Sequence, residues 1–316
     1  MVSVRTAVRQ GFTLARQARS AVWVLFAANM GLALVAGLPI YHGMLRVTSH
    51  SLMSQKLATG FSVNWLTDFA FNNPGSLAHY AQFIAALGLV ALPLNAFLAG
   101  GVLTRFHDPR SPFRLGAFFR DCGRYAWRML FLMAIALAGY WAVFHFVQAG
   151  LANRVDRTTY YWMDDRTVFL LKLGVGLLLL LALALVNLVI DYTRVRMVFN
   201  EGSGVLESFL AALGFSIRHL PSAVAVYALP SLGGLALLGV YRLLVPWHLL
   251  NAALAGNSTA SSEAALALAL LFIGQQLVIF GRYWFRVATW AGEWSLYAGT
   301  RPPAKPAEVS GDRAAA

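Results

Sequence analysis

Cysteine is nearly missing. Cys122 stands alone in 316 residues, which excludes an intrachain disulfide and any CxxC metal or redox motif. Charge is scarce as well: charged residues make up 12% of the chain, against about 25% in soluble domains. Acids number 13 against 25 lysines and arginines. The chain has no HExxH, no Walker A sequence and no GxSxG, and no group of histidines and carboxylates stands at metal-ligand spacing. Gly214-Phe-Ser216 contains the GxS fragment of intramembrane serine proteases. It falls on a segment with the pattern of a surface helix, and the last apolar run supplies no histidine to act as its base. His107-Asp108 lies in a turn and lacks a nucleophile. The expectation is a non-enzymatic chain without a cofactor or a metal.

What the sequence does contain is apolar. Hydrophobic residues reach 59%, and six uncharged runs are long enough to cross a hydrocarbon core about 30 Å thick: 21–41, 80–104, 129–150, 173–190, 221–241 and 264–281. The first run follows Arg5, Arg9, Arg16 and Arg19, but it is long for a secretory signal and has no small-x-small site after it, so it reads as a retained span. The net charge of +12 is not that of a nucleic-acid binder, because the basic residues gather in four stretches: the N-terminus, 105–128, 194–218 and from Arg282 onward. The positive-inside rule then puts both termini in the cytoplasm and the basic surface against anionic headgroups.

Three segments ahead of the odd-numbered runs have helical periodicity. In 3–19, Val4, Val8, Gly11, Ala15 and Ala18 share a face and Arg5, Arg9 and Arg16 fall in a stripe beside it, with Ser3 as N-cap. In 111–128, Ser111-Pro112 offers a cap and a first-turn proline. Leu115, Phe118, Phe119, Cys122 and Ala126 form the apolar stripe there, opposite Arg114, Asp121, Arg124 and Arg128. After Ser203-Gly204 come Leu206, Phe209, Leu210, Leu213 and Ile217. These read as interfacial helices on the inner leaflet. The expected fold is an all-α integral membrane protein of six spans and three interfacial helices. It would be a single domain over 1–300 with candidate repeats 3–105, 111–196 and 203–290, and a disordered tail at 301–316.

Between the spans, the loop 42–79 carries Phe61, Trp65, Phe69 and Phe71 ahead of an Asn72-Asn-Pro-Gly75 turn and is expected to touch the outer interface. Tyr160, Tyr161 and Trp162 suit an aromatic belt. Asp164 and Asp165 have too few companions to hold a cation. The third loop, 246–263, contains an Asn257-Ser-Thr sequon.

Polar groups inside apolar runs are costly, so they mark where function would show. Asn95, Asn187 and Gln276, with the helix-interrupting Pro93 and Pro230, make a candidate polar path; the competing reading is interhelical amide bonding. His145 in the third run reads as an interhelical donor. Each even-numbered run ends in arginine, and Arg105, Arg194, Arg196, Arg282 and Arg286 are candidate contacts for an anion or an anionic lipid, or else ordinary snorkelling side chains. Asp191 is placed to pair with Arg194 three residues on.

The phrase Asp191-Tyr-Thr-Arg194-Val-Arg196-Met-Val, then 206–215, echoes partly at 95–119 and 276–288. In layout the chain resembles uncharacterised six-span bacterial membrane proteins and is similar to the membrane domain accompanying some bacterial glycerophosphodiester phosphodiesterases. The resemblance carries over no catalytic residue, because the hydrolase domain is missing. It implies a bacterial inner membrane; the expected function is an accessory or scaffold subunit that holds lipids, a membrane-protein partner or a second copy of itself. A transporter or lipid-handling protein is the alternative.

Overall fold

The computed structural model describes residues 3–48, 63–73, 75–160, 164–244 and 261–300. Every regular element among them is helical. In order they are α1 (Val4–Gln17), α2 (Arg19–Thr48), α3 (Val63–Asn72), α4 (Ser76–Thr104) and α5 (Leu115–Val143), the last continuing through a π-helical stretch (Phe144–Ala152) into α6 (Asn153–Thr159). Then come α7 (Asp165–Phe199), α8 (Val205–Arg218), α9 (Leu220–Leu244) and α10 (Ser261–Gly299). Among the described residues, five stretches are long and apolar enough to cross a membrane: Arg19–Gly43, Leu77–Thr104, Leu115–Thr159, Asp165–Phe199 and Leu220–Leu244. The sixth uncharged run lies within α10. The proline-rich tail, the sequon at Asn257, and Phe61, Tyr161 and Trp162 lie outside the described residues.

Helix ends follow local chemistry. Ser3 caps α1 as expected, its hydroxyl accepting from the Thr6 amide at 3.2 Å. Asp164 caps α7, accepting from the Arg166 amide at 3.2 Å and from the Thr167 hydroxyl; these bonds hold its carboxyl below the usual range and give it a structural role. Gly75 precedes α4 with φ of 87°, a left-handed conformation that favours glycine. Ser111 does not cap α5. Arg105 captures both its hydroxyl (2.8 Å) and its carbonyl (2.9 Å), and the helix starts only at Leu115. The segment before the third run is therefore no separate surface helix but the first turns of one continuous α5.

The buried core lies at one end of the bundle, where α4, α7 and α10 finish and α2, α5 and α9 begin. It includes Leu98 and Leu103 of α4, Phe118, Tyr125 and Leu132 of α5, Ile190 and Met197 of α7, and Trp290 and Trp294 of α10. Toward the other end the spans expose leucines: Leu38, Leu89, Leu180 and Leu235 are all at least half exposed. The basic stretches share the packed end.

The short helices α1 and α8 pack through small residues. Ala7, Gly11 and Ala15 are buried on α1, and Ser208, Ala212 and Ser216 on α8. At Gly11 the backbone of α10 is so close that a Cβ would stand 2.7 Å from the Gly292 nitrogen and 2.8 Å from the Ala288 oxygen. Small side chains let the backbones approach and gain dispersion contacts that lipid cannot match. The larger apolar residues of α8 (Leu206, Leu210 and Ile217) face outward instead. On the opposite side of the core, α4 meets α5 with Gly100 and Gly101 against Tyr125, Cys122 and Phe118.

Candidate functional site

Helix α7 carries no charge from Leu173 to Ile190, and the first ionisable group after that stretch is Asp191, only 1% exposed. A carboxylate this buried needs partners, since desolvating it unpaired costs several kcal/mol or more. It has three. Arg194, one turn on, reaches its Oδ1 at 3.0 Å; Arg286 of α10 bridges both oxygens with one nitrogen, at 3.0 Å to Oδ1 and 2.9 Å to Oδ2; and the Trp290 indole N–H donates to Oδ1 at 3.1 Å. The Arg286 guanidinium also lies 5.0 Å over the Trp290 ring, which adds cation–π attraction. The Tyr227 hydroxyl of α9 lies against Arg286.

One turn beyond Trp290, on the same face of α10, stands Glu293. It is fully buried, and neither carboxylate oxygen has a hydrogen-bond partner among the described residues. Burial and then the nearby Asp191 charge push its carboxyl well above the usual glutamate range, against the opposing pull of Arg286 and Arg194. The neutral acid is therefore the favoured form. The cluster thus pairs two cations with one fixed anion, beside a second acid whose burial favours its neutral form.

The polar-path residues separate into pairs. Asn95 and Asn29 exchange amide bonds at 3.0 Å each way, tying α4 to α2. Each also donates to the carbonyl four residues back in its own helix, Asn95 to Ala91 and Asn29 to Leu25. Asn187 accepts from the Tyr140 hydroxyl at 2.6 Å, tying α7 to α5. Gln276 has a buried Oε1 without a partner among the described residues. Pro93 and Pro230 sit inside α4 and α9, and Pro230 is buried. His145 is exposed and stacks on Trp141 of its own helix, 5.1 Å between ring centroids, rather than serving as an interhelical donor.

Of the exit arginines, the structure brings only Arg194 and Arg286 together, and the anion between them is Asp191. Arg105 staples its own turn through Ser111. Arg196 reaches Tyr297 at 3.1 Å and Glu207 at 3.3 Å, joining α7 to α10 and α8. Arg282 is exposed and outside the cluster. Arg124 and Arg128 of α5 both hold Glu201 in the turn between α7 and α8, each at 2.6 Å.

Glu293, Trp290, Tyr140 and Asn29 are not among the residues the sequence singled out. Their signal was available: Arg286, Trp290 and Glu293 recur at helical spacing on one face, and Asn29 is an amide in the first uncharged run. Comparison of the chain with protein-family models, with curated proteins and with solved structures returned no match.

Proposed function

We propose that this chain is a non-enzymatic accessory or scaffold subunit of a bacterial inner membrane, with the sixth span at 264–281 in α10 and both termini cytoplasmic. The Lys and Arg distribution supports that orientation, and the layout shared with membrane domains that accompany phosphodiesterases fits an accessory role. In this reading the three units 3–105, 111–196 and 203–290 each bring an amphipathic segment to the packed cytoplasmic end. The observation that carries it is the tying-up of the polar groups at and inside the membrane. Asn95, Asn187, Asp191 and Arg286 are consumed in bonds between helices, and Arg194 pairs with Asp191 within α7, which makes a rigid frame and leaves the outer basic rows for partners and lipids. Its test is gentle detergent extraction from the native membrane followed by native mass spectrometry. A stoichiometric second protein is expected; a chain that is always alone or only with itself contradicts the subunit reading.

Transport is the second reading, and the buried, unpartnered Gln276 oxygen favours it. It requires solute flux or lipid distribution to change when Asn95 and Asn187 become leucine at unchanged expression. Flux equal to wild type would refute it.

A further inference from the structure

Arg194, Arg196 and Arg286 are committed to carboxylates of the chain, and Arg105 to its own turn; among the arginines outside these bonds, three stand in one row on α1. Arg5, Arg9 and Arg16 fall within about 40° of one another on the helix and extend over about 16 Å of its length. No acid occurs in α1, and none of the three makes an ion pair among the described residues. Together with Val8, Phe12 and Leu229 they line an open groove where α1 crosses α9. The groove is firmly supported. Phe12 meets the Phe285 ring edge-on at 6.0 Å, and Phe285 in turn fills the space left by Gly233 of α9. Its apolar side is Leu229, half exposed and inside one of the stretches apolar enough to cross a membrane.

We propose that this groove binds anionic phospholipid, a phosphate held by Arg5 and Arg9, a second by Arg16, and an acyl chain laid along Val8, Phe12 and Leu229. Guanidinium forks match phosphate oxygens bidentately. An occupant that satisfies three cations and an apolar wall inside a membrane-spanning stretch must carry both a phosphate and a hydrocarbon chain. A polyanion without a chain satisfies only the first. The length of the row exceeds one headgroup, so Arg5 and Arg9, one turn apart, grip one phosphate and Arg16 a second, from a neighbouring lipid or a lipid with two phosphates. The proposal rests on the membrane-spanning reading, with α1 at the cytoplasmic boundary.

The test compares the full-length protein with R5Q/R9Q/R16Q and with R110Q/R120Q/R218Q, which removes the same charge from exposed positions elsewhere. Alkaline carbonate washing of membranes comes first. A chain released by carbonate fails the membrane reading and this site with it. Proteins that stay are purified in one detergent, mixed with dioleoyl phosphatidylglycerol, cardiolipin or phosphatidylcholine, and examined by native mass spectrometry. Retention of either anionic lipid over phosphatidylcholine by wild type and the control variant is expected, with at least a tenfold loss of the bound fraction in R5Q/R9Q/R16Q. Equal retention in that variant, or equal retention of phosphatidylcholine by wild type, would overturn the site while leaving the membrane reading intact.

Discussion

Replacing Asp191 with asparagine should be among the most damaging single changes available in this chain. The substitution keeps the shape and one acceptor for the Trp290 N–H, but it removes the negative charge shared by Arg194 and Arg286. Breaking a buried ion pair by deleting one partner costs about 3–5 kcal/mol, because the other charge stays behind. The side chains of Arg194 and Arg286 keep 18% and 32% of their surface exposed, so partial hydration puts the cost near the lower end, about 3 kcal/mol. For a chain of this size that is roughly 5 °C in the midpoint of thermal unfolding. The single cysteine supplies the assay. Cys122 is buried against Gly101 and Phe118, so a maleimide that fluoresces on reaction reports unfolding at one site only. Lys172→Ala is the matched control, since the Lys172–Asp156 pair at 2.9 Å is more than half exposed on both sides and such pairs contribute about 0–1 kcal/mol. A D191N protein that melts within a degree of K172A would refute the reasoning. The same physics has a second arm: D191L/R194M/R286M removes all three charges together and should recover most of the loss.

Two further predictions follow from the same packed end. Glu293, whose carboxyl is raised in the folded state by burial and by Asp191, contributes fully below the ordinary glutamate range and loses its contribution as pH climbs through the raised folded value. Asp191, Arg194, Arg286 and Tyr192 are the groups that feel the change. Thermal melts across pH should therefore show wild type losing stability as pH rises above the ordinary glutamate range and E293Q losing less, and parallel curves would contradict the assignment. Asn95→Leu strands the Asn29 amide between α2 and α4 and should cost about 1–2 kcal/mol. The double variant N29L/N95L should be less damaged than the sum of the singles, which a double-mutant cycle of melting midpoints checks.

The elements were legible in the sequence because uncharged runs of 18 or more residues leave few alternatives to helix. Runs 21–41, 80–104, 173–190 and 221–241 fall inside α2, α4, α7 and α9. The faces were less legible. On α1 the shared face of Gly11, Ala15 and Ala18 is the buried one, but on α8 amphipathic reasoning gave weight to Leu206 and Leu210, whereas the helix buries Ser208, Ala212 and Ser216, because close helix contact depends on what is absent at a small residue. The Asp191–Arg194 pair could be read from spacing within one helix. Arg286, 95 residues away along the chain, could not be chosen over Arg105 or Arg282, since each ends a run in arginine and only packing decides which one faces α7. Ser111 looked like a cap until Arg105 folded back onto it.

The orientation of the packed basic end is the claim on which the rest depends, and cysteine accessibility tests it most directly. With Cys122 buried and silent, single cysteines at exposed positions Ser3, Arg110, Gly202 and Gly299 mark one end, and Arg157 marks the other. A membrane-impermeant maleimide applied to intact spheroplasts should label R157C alone, and should label the other four only after permeabilisation. Labelling of Gly299→Cys in intact cells while Gly202→Cys stays protected would show that α10 does not return across the membrane, and would contradict the six-span account.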